Sequence, residues 1–106
     1  MSTELNITNS NFDSEISKGI ALVDFWASWC GPCQTQGPII DKVAVQLTGK
    51  VKVGKCNVDE EPGLASRFGV RSIPTLVIFH NGKEIERLIG LQPEHTLIEK
   101  IAALEG

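Results

Sequence analysis

Two cysteines three residues apart, Cys30 and Cys33, lie in the segment Trp29-Cys-Gly-Pro-Cys33 and are the side chains best suited to chemistry in this chain. If a helix begins between them, one turn stacks the two thiols on the same side, within disulfide range. The first then stands at the helix N-terminus, where unpaired backbone N–H groups and the positive end of the dipole favour an anion. That lowers a thiol pKa and raises the fraction of thiolate, the nucleophilic form. Cys30 is therefore the expected attacking sulfur, forming a mixed disulfide with a substrate. Cys33, one turn deeper, is the expected resolving thiol: it attacks Cys30, releases the reduced substrate and leaves a Cys30–Cys33 bond. Pro32 suits the first turn, because the N–H it lacks would have no helical partner there.

Two other readings compete for a C-x-x-C pair. A zinc half-site needs a second ligand pair, and the remaining candidates, Cys56, His80 and His95, are not paired at short range, so no metal is expected. Two idle core cysteines are the blander alternative, but burial does not explain the Gly31-Pro32 between them.

The elements that must position the pair are legible from patterning. Ile20-Ala-Leu-Val-Asp-Phe-Trp26 is a nearly continuous apolar run, as in a strand covered on both faces. After the cysteines, Ile39, Ile40, Val43, Ala44 and Leu47 recur at helical spacing, with Gly49 as a stop. Val51 to Val58 reads as a second strand, and Pro62 to Phe68 as a short helix closed by Gly69. Thr75-Leu-Val-Ile-Phe79 is a third strand, joined by an Asn81-Gly82 hairpin turn to an antiparallel partner over Glu84 to Ile89. A final helix spans Pro93 to Leu104, with Leu97, Ile98, Ile101 and Ala102 as its apolar stripe. Phe12 and Ile16 suggest a short first helix, and Leu5 to Thr8 a brief edge strand. The order β-α-β-α-β-α-β-β-α predicts an α/β fold: a mixed central sheet of about five strands, flanked by about four helices on both faces.

At 106 residues the chain has room for one domain, and 42% hydrophobic with 22% charged residues excludes a disordered tail. A net charge of −3 with scattered basic residues speaks against nucleic acid. No stretch approaches the roughly 20 apolar residues of a membrane span. The start, Met1-Ser-Thr-Glu-Leu-Asn-Ile-Thr8, has neither basic residues nor an apolar run, so no secretory signal is expected. Three cysteines, an odd number, do not suit a secreted disulfide framework.

Trp26-Ala-Ser-Trp-Cys-Gly-Pro-Cys33 resembles the thioredoxin family, and the likeness runs over nearly the whole chain. It includes Val23-Asp-Phe-Trp26, Pro38, Val53-Gly-Lys-Cys-Asn-Val-Asp59, Gly69-Val-Arg-Ser-Ile-Pro-Thr75, Asn81-Gly82 and Gly90. The resemblance implies a thioredoxin fold, reduction of disulfides in target proteins, and electrons from a thioredoxin reductase. No other cofactor is implied. A monomer is expected, in the cytoplasm or, for a processed mature form, in an organelle of bacterial ancestry. Asp24 interrupts an apolar strand, where burial favours the protonated carboxyl. The resemblance makes it the acid that relays a proton to or from Cys33, with Lys55 as the family's lysine; a simple Asp24–Lys55 ion pair is the structural alternative. Ile73-Pro74 resembles the family's cis-proline, whose preceding backbone pairs with an extended substrate segment. Trp29, Gly31, Pro32, Ile73, Pro74 and Gly90 together resemble a substrate-docking rim, with Trp26 and Pro38 as structural support.

Cys56 alternates with Lys55 along its strand, so it should face the other side of the sheet as an inert buried thiol. His80 and His95 read as surface residues, and Asp59-Glu60-Glu61 as a solvated helix start. Gln34-Thr-Gln-Gly37 departs from the family pattern of a basic residue followed by bulky apolar ones. The departure removes a cation next to Cys33 and implies looser packing of that turn, and Gly37 before Pro38 predicts a kink. Two further hypotheses follow: an oxidase or isomerase on the same fold, and a docking subunit that uses the surface around Trp29, Ile73 and Gly90 without redox chemistry.

Overall fold

Five consecutive residues of the strand containing Asp24, Ala21 to Phe25, are buried, as a chain covered on both faces requires. The computed structural model describes residues 4–105. Its elements, in chain order, are β1 (Leu5–Asn6), α1 (Phe12–Ile16), β2 (Ile20–Trp26), α2 (Gly31–Gln46), β3 (Lys52–Asn57), α3 (Pro62–Arg67), β4 (Thr75–His80), β5 (Lys83–Ile89) and α4 (Glu94–Glu105). This is the order read from the sequence. The sheet runs β1-β3-β2-β4-β5. β3 is parallel to both β1 and β2, whereas β4 is antiparallel to β2 and β5.

Alternation along β2 and β4 divides the core in two. Leu22, Leu76 and Ile78 face α2 and α4, meeting Ile40, Val43, Leu97 and Ile101. Val23, Phe25, Val77 and Phe79 face the other way, against Phe12 and Ile16 of α1 and Leu64 of α3. Each fully buried aliphatic or aromatic side chain contributes about 1.5–3 kcal/mol. Both faces are therefore needed to hold β2 where it is.

The register decides where chemistry is placed. Phe25, near the end of β2, is opposite Cys56 on one side and Thr75 on the other, and Thr75 is opposite Ile89. The ends of β2, β3 and β5 and the start of β4 thus lie along one edge of the sheet, the position where open α/β sheets gather their functional loops. At the far edge, Asn81 and Gly82 turn the hairpin with φ of 53° and 84°, which suits a type I′ turn.

Most boundaries differ from the sequence reading by a residue. The larger differences are that β1 covers only Leu5–Asn6 and that α2 ends at Gln46, before the expected Gly49 stop. There the Leu47 N–H bonds to the Val43 carbonyl, and Thr48 Oγ1 donates to the Ala44 carbonyl at 2.9 Å, closing the helix early. α2 continues through Gly37 and Pro38 as one helix.

Gly54 is where β3 passes closest to its neighbours. A Cβ added there would lie 2.5 Å from Ile7 Cγ1. Gly54→Ala is therefore expected to destabilise the fold by about 1–3 kcal/mol. Chemical denaturation measures this, and an unchanged midpoint would contradict it.

Candidate active site

β2 ends at Trp26 and α2 starts at Gly31, so Ala27 to Cys30 form a tight turn at the functional edge. Cys30 is the N-cap of α2, with extended backbone angles (φ −88°, ψ 115°), and its sulfur accepts the Cys33 N–H at 3.2 Å. Capping by sulfur satisfies one of the donors that every helix start leaves open. Cys30 and Cys33 are joined by a disulfide, with Cα atoms 5.2 Å apart. Both are 4% exposed and pack with Ala27, Trp26, Val58 and Ile73.

The loop before β4 closes over this pair. Ile73-Pro74 is a cis peptide, and the Ile73 carbonyl oxygen lies 3.6 Å from Cys30 Sγ. The Gly90 N–H donates to the Pro74 carbonyl at 2.8 Å, which brings the end of β5 to the same place. Trp29, 71% exposed, stands at the outer side, and its indole N–H donates to Asp59 Oδ2 at 2.8 Å. Gly31 and Pro32 are exposed on the first turn of α2. The six rim residues named from sequence are thus together on one surface around the disulfide. Asp59 is more than the solvated helix start it resembled, since it holds Trp29.

Beneath the pair is a cavity of about 280 Å³ lined by Asp24, Trp26, Cys33, Gln34, Gly37, Pro38, Asp41 and Lys55. Asp24 is 1% exposed, and its Oδ1 has no hydrogen-bond partner among the described residues. Burial pushes its carboxyl up to about 7, against the opposing pull of the Lys55 ammonium and with a further push from Glu4. Lys55 is opposite Asp24 in the β2–β3 register, but its ammonium pairs with Glu4 at 3.2 Å and Asp41 at 3.3 Å. The simple Asp24–Lys55 ion pair of the sequence reading is therefore replaced by a Glu4–Lys55–Asp41 cluster, of which Lys55 and Asp41 line the cavity. Burial pulls the Lys55 pKa down, and the two carboxylates outweigh it and leave it raised. Gly37 lies beside this lysine: a Cβ there would be 3.5 Å from Nζ, an ordinary van der Waals contact.

Sequence reasoning missed Glu4, Asp41, Asp59 and Gln36. Asp41 had a signal, since Cys33, Gly37 and Asp41 repeat every four residues on one face of α2. Cys56 is fully buried on the opposite face of the sheet, as expected, and burial, with Glu61 adding to it, pushes its thiol up to about 12. His80 and His95 are exposed. Among the described residues, no group of three His, Cys, Asp or Glu side chains could hold a metal ion, and no helix is long and apolar enough to cross a membrane.

A capped disulfide at a helix start, a buried acid below it and a cis-proline loop above it define a protein of thiol–disulfide exchange. Comparison with known proteins gives the same class. The thioredoxin family model matches residues 3–103. The chain is 48% identical over 98 residues to a thioredoxin of Rickettsia felis, covering 91% of this chain and 93% of that one. It is 46% identical over 103 residues to thioredoxin 1 of a Nostoc species, covering 95% and 96%. It is 44% identical over 97 residues to a thioredoxin of Staphylococcus saprophyticus, covering 92% and 93%. The chain belongs to the thioredoxin family. It is a thiol–disulfide oxidoreductase with a redox-active Cys30–Cys33 pair, and a protein-disulfide reductase.

Proposed function

We propose that Cys30 is the attacking nucleophile and Cys33 the resolving thiol in the reduction of protein disulfides. In the reduced protein, the Cys33 N–H and the start of α2 stabilise a thiolate at Cys30. That thiolate attacks one sulfur of the target disulfide, and the other target sulfur leaves as a thiolate. Asp24, as carboxylate, takes the proton of Cys33 across the shared cavity. The Cys33 sulfur then attacks Cys30, closing the Cys30–Cys33 bond and expelling the second target thiolate. Two electrons pass to the target, and the protein ends oxidised. Lys55 steadies the carboxylate form of Asp24 from the cavity wall.

Trp29, Gly31, Pro32, Ile73, Pro74 and Gly90 form the surface on which an extended target segment docks, pairing with the backbone at Ile73. Trp26 supports the pair from below, and Pro38 shapes the cavity wall. The chain works as one domain and as a monomer in the cytoplasm, or in an organelle of bacterial ancestry, and is recycled by a thioredoxin reductase. Neither a metal nor an added cofactor takes part. The observation that carries this reading is the Cys33 N–H bonded to Cys30 Sγ, a donor that would stabilise negative charge on that sulfur once the disulfide is opened.

The test is catalytic reduction of insulin by the wild-type protein, coupled to NADPH oxidation through a bacterial thioredoxin reductase. Sustained turnover is expected. Failure to turn over, in a protein whose disulfide is cleanly reduced by dithiothreitol, would overturn the recycling by that partner or the use of protein targets.

A further inference from the structure

Gln36 lies on the inward stripe of α2, one turn beyond Cys33, and is completely buried. A primary amide taken out of water is costly unless both its ends are bonded. Both ends of Gln36 are bonded to a single residue outside the helix. Its Nε2 donates to the Gln92 carbonyl at 3.0 Å, and its Oε1 accepts the Gln92 N–H at 2.7 Å. The side chain thus imitates a strand pairing with the segment that follows β5.

That segment is also held from its other end. The Gly90 N–H bonds to the Pro74 carbonyl at 2.8 Å, and the Gln92 side chain reaches back to the Gly90 carbonyl at 3.3 Å. Between the two anchors, Leu91 stands 48% exposed. The Gly90–Gln92 segment is therefore a wall beside the disulfide, fixed at one end by the loop that touches Cys30 and at the other by the helix that carries both cysteines.

We infer that Gln36 is a positioning residue that locks this wall to α2 and thereby sets the protein's selectivity for disulfides carried on a polypeptide segment over small free disulfides. The inference rests on the docking surface proposed above. Gln36 has no exposed surface and does not touch a substrate. It acts by removing the freedom of the wall before a segment arrives, which lowers the entropic cost of docking. A small disulfide needs only the two sulfurs and gains nothing from the wall.

The experiment compares Gln36→Met and Gln36→Leu with wild type, using insulin and dithiobis(nitrobenzoate) as the two substrates. The KM for insulin is expected to rise roughly tenfold, the weight of one or two neutral hydrogen bonds, with kcat nearly unchanged. The loss on the small disulfide should be several-fold smaller. Equal losses on both substrates, or none, would overturn the inference. Hydrogen exchange in the wild type needs no variant to fold: the Gln92 amide should be protected like the core strands, and free exchange would overturn the lock. Trp29→Ala and Ile73→Ala, run beside these, separate the two levels. If they raise the insulin KM while the Gln36 variants do not, only the lock is wrong; if none does, the docking surface itself is wrong.

Discussion

Cys33→Ser should convert the protein into a covalent trap. Mixed with oxidised insulin, it is expected to accumulate as a one-to-one disulfide complex through Cys30, visible by mass spectrometry and lost on adding dithiothreitol. The reason lies in the relation of the two sulfurs, held at a Cα separation of 5.2 Å on one turn. Well-oriented neighbouring groups reach effective concentrations of roughly 10⁵ M or more. Even a small part of that exceeds millimolar external thiol by orders of magnitude. Without Cys33, escape from the mixed disulfide is left to external thiol, and insulin turnover should fall by a factor on the order of 10³ or more. Cys30→Ser should abolish turnover equally but form no complex, because the remaining thiol lacks the capping N–H that Cys30 receives. A stable complex through Cys33 in that variant would reverse the assigned roles.

The second large effect concerns Asp24. Its carboxyl, raised to about 7 by burial, is protonated at pH 5 and mostly ionised at pH 8. The charged and titrating groups that surround it are Lys55 on β3, Cys33 and Asp41 on α2, and Glu4 just before β1. If Asp24 accepts the Cys33 proton, the rate of release from the mixed disulfide rises with pH through an inflection near that value. Asp24→Asn should remove the inflection and slow release at pH 8 by on the order of a hundredfold. Stopped-flow release rates from pH 5 to 9 measure this; an unchanged profile would remove Asp24 from the proton path.

The same substitution has a stability consequence of known sign. The unfolded chain titrates Asp24 near 3.8 and the folded chain near 7, so the folded state binds a proton more tightly. Stability linked to this group is fully present below pH 3.8, is lost as pH rises to about 7, and stays lost above it. The full span corresponds to about 4 kcal/mol. The amide introduced by Asp24→Asn carries no charge at any pH, so the variant should be stabilised most at pH 8 and scarcely at pH 4. Equal effects at both would show the burial penalty to be absent.

What can be read from the sequence follows from local pattern. The limits of β2 are legible because its apolar run stops at Gly19 and after Trp26, and the Asn81-Gly82 turn because both positions need positive φ. Asp24 stands out as one carboxylate inside that run. The cap at Cys30 follows from Pro32 and the pair spacing. What escapes a sequence reading depends on contacts between distant segments. Strand alternation assigns Lys55 to Asp24, its partner across the strands, whereas its ammonium goes to Glu4, just before β1, and to Asp41 on α2. Asp59 merges with Glu60 and Glu61 as a charged run because nothing local ties it to Trp29. Gln36 reads as loosened packing, yet it is completely buried with both amide ends bonded. The sequence does hold a clue: a polar residue in phase with Ile40 and Val43 on an otherwise apolar stripe needs a partner.

Cys56 belongs to the cluster on the α1/α3 side, and the active pair to the functional edge. The β-sheet therefore acts as a partition between the third sulfur and the other two. Three cysteines permit three pairings on paper, but here Cys30 and Cys33 are joined while Cys56 is unbonded and completely buried. Repeated oxidation and reduction can cycle without scrambling. The disulfide that closes after each round is therefore the same Cys30–Cys33 bond that a reductase must open.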